Sequence, residues 1–568
     1  MNRSTVSREY RQQTLDALEG GTFDVVIIGG GITGVGCALD AVTRGLSVAL
    51  IEQRDIASGT SSRSSKLFHG GLRYLEQFDF GLVNEALHER SLVRQKLAPH
   101  LVEPVPFVYP LEHRVWERAY VGAGITLYDT MARFGGSALP RQWHLSRTKL
   151  KEVFPSIKEG AFVGGIRYYD TRCDDARYAL AVARTAAAEG AHILTSARMT
   201  GFSFDGDRVN GVKATCLETG RDLNVGAKVV VNATGVWTDR VESLVGDEHT
   251  DVTASKGIHI VVPKDRISSR VGFITRTPTS VLFLIPDRDF WHIGTTDTPW
   301  KLRLAHPAAS KSDIDYVLAQ ANTVIDPPLT TEDVVGVYAG LRPLVSGDAA
   351  STAKLSREHS ITNPAPGLVT IAGGKYTTYR VMAEDTIDRA FESISTGIPP
   401  TQTAETPLIG SHGYEEAKRL GPALALRYDL TADDIDRLLH RYGDETERVL
   451  SLIDEDASLR ERLPSGQYLG AEVMFAVRHE GALHLDDVLT RRTRLSVECK
   501  DRGVRAAPMV AEIMAAELGW DDVAIKRELE HYKARVDAEL DSQEQTDDHT
   551  ADAARFGAPD IRTGHATE

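Results

Sequence analysis

The residues with the clearest chemical potential are glycines. Gly29, Gly31 and Gly34 form G-x-G-x-x-G directly after a β-branched run, Val25 to Ile28, and before a helix-patterned stretch, Val35 to Thr43. In such a turn the first glycine permits the bend, the second lets the backbone approach a pyrophosphate, and the third lets helix and strand pack closely. The helix N-terminus then offers free N–H groups and a positive dipole end to phosphate. Leu46 to Ile51 reads as the next strand and closes on Glu52, an acid about 20 residues past the glycines. A carboxylate there accepts hydrogen bonds from ribose hydroxyls and repels a 2′-phosphate, which leaves FAD or NAD and disfavours NADP.

The segment Ser58 to Tyr74, G-T-S-S-R-S-S-K-L-F-H-G-G-L-R-Y after its first serine, is a long loop of small residues. Its hydroxyls and amides suit an extended flavin better than the helix that usually follows in a NAD site. With G-G-G-I-T-G, S-S-K-L-x-H-G-G-L-R-Y-L-E, N-A-T-G at Asn232 to Gly235, L-R-P-L at Leu341 to Leu344 and G-G-K-Y-T-T-Y-R at Gly373 to Arg380, the chain closely resembles the FAD-dependent glycerol-3-phosphate dehydrogenases. The resemblance runs from about Phe23 to Leu540.

It implies non-covalent FAD held by Gly29, Gly31, Ile32, Thr33, Gly34, Glu52, Gln53, Thr60, Ser61, Ser62, Lys66, Leu67, His69, Gly71, Ala233, Thr234, Gly235, Gly374, Lys375, Tyr376 and Thr377. It also implies oxidation of sn-glycerol 3-phosphate to dihydroxyacetone phosphate, with hydride passing to flavin N5 and electrons onward to a quinone. A phosphorylated polyol needs fixed cations, and arginine holds phosphate oxygens bidentately while lysine acts as a point charge. Matched positions give Arg73, Tyr74, His259, Arg342, Arg357 and Lys375 as substrate-binding residues. His259 is the first choice of base for the C2 hydroxyl, since its ordinary pKa suits neutral pH; Lys375 is the second choice, and Arg342 would steady the developing alkoxide. Alternatives are an oxidase acting on glycerol 3-phosphate with dioxygen, or a related flavin amine or amino-acid oxidase. No metal set is evident.

These groups must be positioned by an α/β fold: an FAD-binding Rossmann-like domain with an inserted mixed or antiparallel β-sheet substrate domain, followed by a C-terminal all-α domain. The expected units are an N-terminal helical extension (1–22), an FAD-binding domain (23–110 with 165–245 and 350–392) and a substrate-binding domain (111–164 with 246–349). A linker (393–410), an all-α domain (411–540) and a disordered acidic tail (541–568) complete the chain. The tail expectation rests on seven acids against two arginines. Thr431 to Asp434 resembles a capping box.

The 568 residues carry 65 Lys+Arg against 80 Asp+Glu, a formal charge of −15, with 42% hydrophobic residues. That balance fits a globular protein and argues against nucleic acid as a partner. Its four widely spaced cysteines exclude a disulfide scaffold and fit a reducing compartment. No secretory signal or membrane span is expected. The resemblance implies a cytoplasmic protein held peripherally on the membrane face; Arg491, Arg492 and Arg494 beside Val488, Leu489 and Leu495 could meet headgroups, but a solvated helix face or a domain contact is the favoured reading. Oligomeric state is left open, a homo-oligomer included.

Overall fold

The computed structural model describes residues 5–72, 79–113, 115–136, 139–246, 250–278, 281–345, 358–392 and 397–563. Its first sheet places strands in the order 359–365, 368–373, 222–232, 22–28, 48–51, 192–194, with 197–205 and 208–216 attached beside 222–232. Thr22–Ile28 lies parallel to both neighbours, Val25 opposite Val229 on one side and Val48 on the other. Val25 and Ile27 enter one apolar core, Val26 and Ile28 another. Burial on both faces is why this strand reads as an unbroken β-branched run.

Helix Ile32–Thr43 starts at the glycine turn and is almost wholly buried. Gly36 lets it approach helix Tyr379–Phe391, because a Cβ there would meet the Tyr379 ring at 2.9 Å.

The second sheet has ten strands: 298–300, 252–263, 290–294, 281–287, 272–276, 102–111, 164–173 and 67–68 in order, with 336–345 beside 252–263 and 143–146 beside 164–173. Its pairings are antiparallel except that 272–276 runs parallel to 102–111. This corrects the expected boundary. Val102–Leu111 and Gly164–Cys173 pair from Val102–Cys173 to Leu111–Gly164, so 102–110 and 165–173 belong to the second sheet, not the FAD-binding one. Local pattern names a strand but not its partners, and Pro104, Pro106 and Pro110 weaken even the strand signal here.

Beyond residue 413 the chain is helical, from Tyr414–Tyr428 to Asp522–Glu544. The capping box at Thr431 forms, its hydroxyl accepting from the Asp434 N–H while the Asp434 carboxylate accepts from the Thr431 N–H.

One further expectation is overturned. The tail is not disordered as far as residue 563: Asp522–Glu544 runs past 541, and a last helix, Asp548–Arg555, packs back on the chain. Its acids look solvated in sequence but meet distant cations, Asp548 on Lys256, Asp552 on Arg303 and Asp560 on Arg54. Arg491, Arg492 and Arg494 make contacts with distant parts of the chain, the reading favoured over headgroup contact. All three are buried, the first two on Asp55 and the third on Asp287. Among the described residues no helix is long and apolar enough to cross a membrane.

Candidate active site

A cavity of about 580 Å³ opens where the C-terminal ends of the first sheet's parallel strands meet the second sheet. The first sheet contributes Gly29 to Thr33, Glu52, Gln53, Ala233 to Gly235 and Gly373 to Thr377; the second contributes Leu67, His259 and Arg342. Ligands of open α/β sheets collect at this end of the strands.

The backbone of the glycine turn is held ready. Gly29 has φ +109°, and a Cβ there would lie 2.6 Å from the Ala233 carbonyl oxygen. At Gly34 a Cβ would lie 1.9 Å from the Gly29 carbonyl oxygen, so this glycine sets helix packing and does not itself line the cavity. Ser61 accepts from the Ile32 N–H at 2.9 Å, and the Glu52 carboxylate accepts from Gly30 N–H at 2.7 Å and Arg54 N–H at 2.8 Å. Burial pushes the Glu52 carboxyl up. Hydrogen-bond donors such as ribose hydroxyls would favour its ionised form.

Opposite this loop, strand Leu368–Gly373 ends on Gly373 and Gly374, at φ +75° and +80°. The chain then turns through Tyr376–Thr378 into helix Tyr379–Phe391, whose N-terminal end therefore meets the cavity. Tyr376 is fixed by donating its hydroxyl to the Asp175 carbonyl at 2.5 Å.

His259 and Arg342 come from antiparallel neighbours, strands Val252–Pro263 and Gly336–Val345, with Ser255 opposite Arg342 and His259 opposite Tyr338. The His259 ring stacks on Tyr338 at 4.9 Å and 10°, and its Nε2 lies 2.9 Å from the Ser65 hydroxyl. Its Nδ1 is buried with no hydrogen-bond partner among the described residues. Burial first, then Arg342, His292 and Lys66, hold its pKa well below the ordinary histidine range, so it is a neutral acceptor at neutral pH. Arg342 Nη2 donates to Thr295 Oγ1 at 2.9 Å and the Thr296 carbonyl at 3.2 Å, and Nη1 stands 3.8 Å from Asp297.

Of the cofactor positions expected from sequence, Gly29, Gly31, Ile32, Thr33, Glu52, Gln53, Thr60, Ser61, Leu67, His69, Gly71, Ala233, Thr234, Gly235, Gly374, Lys375, Tyr376 and Thr377 line this one cavity. Ser62 and Lys66 do not. The Lys66 ammonium is buried on Asp175 at 2.5 Å and on the Ser62 carbonyl at 3.1 Å, so it braces the loop from behind. Arg73, Tyr74 and Arg357 lie outside the described residues.

Sequence reasoning missed Ser65, Tyr338, Thr295, Thr296 and Asp297. Ser65 stands in the quoted S-S-K-L block, but its contact with His259 spans 194 positions and leaves no local signal.

The glycine cradle and the buried Glu52 fit a dinucleotide. Comparison with known proteins agrees. Residues 24–380 match the family described as FAD dependent oxidoreductase, and residues 401–525 match the C-terminal domain of alpha-glycerophosphate oxidase. The chain is 52% identical to glycerol-3-phosphate dehydrogenase 2 of Mycobacterium tuberculosis, over 95% of this chain and 92% of that one. It is 36% identical to the mitochondrial glycerol-3-phosphate dehydrogenase of Rattus norvegicus, over 96% and 78%. The solved glycerol-3-phosphate dehydrogenase of Bacillus halodurans, complexed with FAD, superposes with a TM-score of 0.76 at 29% identity, covering 93% of this chain and 97% of that one. The chain belongs to the FAD-dependent glycerol-3-phosphate dehydrogenase family.

Proposed function

We propose that this chain oxidises sn-glycerol 3-phosphate to dihydroxyacetone phosphate and passes the electrons to a quinone at a membrane surface. The observation that carries the reading is the convergence of His259, Arg342 and Lys375 on the cavity walled by the glycine loop. FAD, when bound, supplies the hydride acceptor.

The chain's own residues do the rest. Arg342, pre-set by Thr295 and Thr296, presents a guanidinium fork to a phosphate or an incipient alkoxide. Lys375 adds a second fixed cation to the same wall. His259, held neutral on the cavity wall, takes the C2 hydroxyl proton as the hydride leaves. Arg73, Tyr74 and Arg357 complete the substrate set.

The quinone part of the reading is supported by an exposed apolar stripe. On helix Trp116–Phe134, Trp116 (62% exposed), Tyr120 (58%) and Leu127 (41%) share one face, with Trp143 (66%) nearby in sequence. Residues 112–151 hold seven Lys/Arg against three Asp/Glu in a chain of charge −15. Interfacial aromatics with surplus basic charge suit an anionic headgroup layer. On its inner side the same helix sends Tyr128 to Asp170 and the Gly70 N–H, and Asp170 and Gly71 line the cavity.

Turnover with a quinone analogue tests the reading. Glycerol 3-phosphate should yield dihydroxyacetone phosphate and reduced quinone in equal amounts, while glycerol and glycine yield neither. Peroxide formed without quinone would favour the oxidase reading, and turnover of glycine alone would favour an amino-acid oxidase.

A further inference from the structure

Beside strand Gly336–Val345 lies a small pocket of about 70 Å³, several times the roughly 10–15 Å³ that one water needs, which shares Arg63 with the large cavity. Three parts of the chain enclose it: the Ser62 to Lys66 loop, the second sheet, and the C-terminal helices including Asp548–Arg555. Six cationic side chains line it against two acids, Asp174 and Glu539. Both acids are engaged, Asp174 with Arg441 and Glu539 with Arg555 and Arg502. Five of the six cations are ion-paired, Lys66 on Asp175, Arg491 on Asp55, Arg494 on Asp287, Arg535 on Asp486 and Arg555 on Glu539.

Arg63 differs. Its guanidinium meets His306 Nδ1 at 3.2 Å, and no carboxylate reaches it among the described residues.

We propose that this pocket is a second, non-catalytic anion site, built around Arg63, Arg535 and Arg555, that takes a compact oxyanion of inorganic-phosphate size. A buried guanidinium with no carboxylate beside it is a costly arrangement, and a tetrahedral oxyanion would supply the missing counter-charge to Arg63. Burial, then Arg535, Arg555, Arg491 and Arg54, push the Arg63 pKa down to about 9, as expected of a guanidinium whose counter-charge is missing. Occupancy has a route to the chemistry, because Arg63 is two residues from Ser65, the His259 partner, and Tyr338 lines this pocket while its ring stacks on His259.

The geometry stands whatever the substrate proves to be. The test is calorimetric titration of the FAD-loaded chain with inorganic phosphate, with chloride at matched ionic strength as control. Wild type should bind two phosphates per chain, one displaced by sn-glycerol 3-phosphate and one retained. Arg63→Met should lose the retained phosphate, Arg63→Lys should keep it, and Arg555→Met should weaken it by roughly tenfold or more, the loss of one charge-assisted contact. Should Arg63→Met fail to fold, Arg555→Met decides. If glycerol 3-phosphate displaces neither phosphate, the active-site reading falls, while loss of one phosphate in these variants still supports the pocket. A single, fully displaceable phosphate in wild type, or a retained phosphate that binds both variants unchanged, overturns the proposal.

Discussion

Replacing Arg342 with Met separates substrate binding from everything else in the cavity. The Arg342 side chain is 23% exposed and its guanidinium is already held by Thr295 and Thr296, so little rotamer freedom remains to be lost on binding. Each charge-assisted hydrogen bond contributes about 1.5–3 kcal/mol. A two-pronged contact with an anionic oxygen pair thus amounts to about 3–6 kcal/mol, or roughly 150- to 25,000-fold in kcat/KM. Lys at this position keeps the charge but lacks the fork, so Arg342→Lys should recover only part of that loss. The glycine loop and Glu52 are untouched, so FAD content should stay at one per chain. The assay is anaerobic stopped-flow bleaching of the flavin against glycerol 3-phosphate concentration, with absorbance per chain as the control. A bleaching rate within about threefold of wild type at all concentrations would remove Arg342 from the site and refute the reasoning.

Gly34→Ala should empty the flavin site, because its new methyl would sit 1.9 Å from the Gly29 carbonyl oxygen; absorbance of the purified protein reports it directly. His484, buried between Glu218 at 3.0 Å and Glu528 at 2.9 Å, has its pKa raised to about 9. Its contribution of about 3 kcal/mol is fully present below the unfolded value near 6.5 and is lost as pH rises through about 9, so denaturation of wild type and His484→Gln should converge at high pH. Ending the chain at Gln545 removes Asp548, Asp552 and Asp560 from their partners, and urea denaturation should show a loss of about 3 kcal/mol or more. Trp116→Ser with Tyr120→Ser should reduce sedimentation with anionic vesicles and quinone-linked turnover while leaving reduction of a soluble dye intact.

What could be read from residues alone follows a physical line. The first β-α-β unit was legible because its strand is buried on both faces and its glycines are forced by close backbone approach at Gly29 and Gly34. Strands Ile258 to Val262, Val281 to Ile285 and Leu368 to Ile371 were legible from β-branched runs, and all fall inside observed strands. Sheet membership was not, since Val102–Leu111 and Gly164–Cys173 find each other across more than fifty positions. The tail failed for an electrostatic reason: its acids signal solvent until the arginines and lysine that neutralise them are placed beside them. The chemistry-bearing residues His259, Arg342 and Lys375 were nameable because motif blocks carry them. The groups that aim them, Ser65, Tyr338 and Thr295, work through contacts that no spacing announces.

Anaerobic mixing of the yellow protein with sn-glycerol 3-phosphate probes the central claim most directly. Bleaching of the flavin with one dihydroxyacetone phosphate formed per chain, before any acceptor is added, is the predicted result. A spectrum unchanged by saturating glycerol 3-phosphate, in protein that carries full FAD, would contradict it.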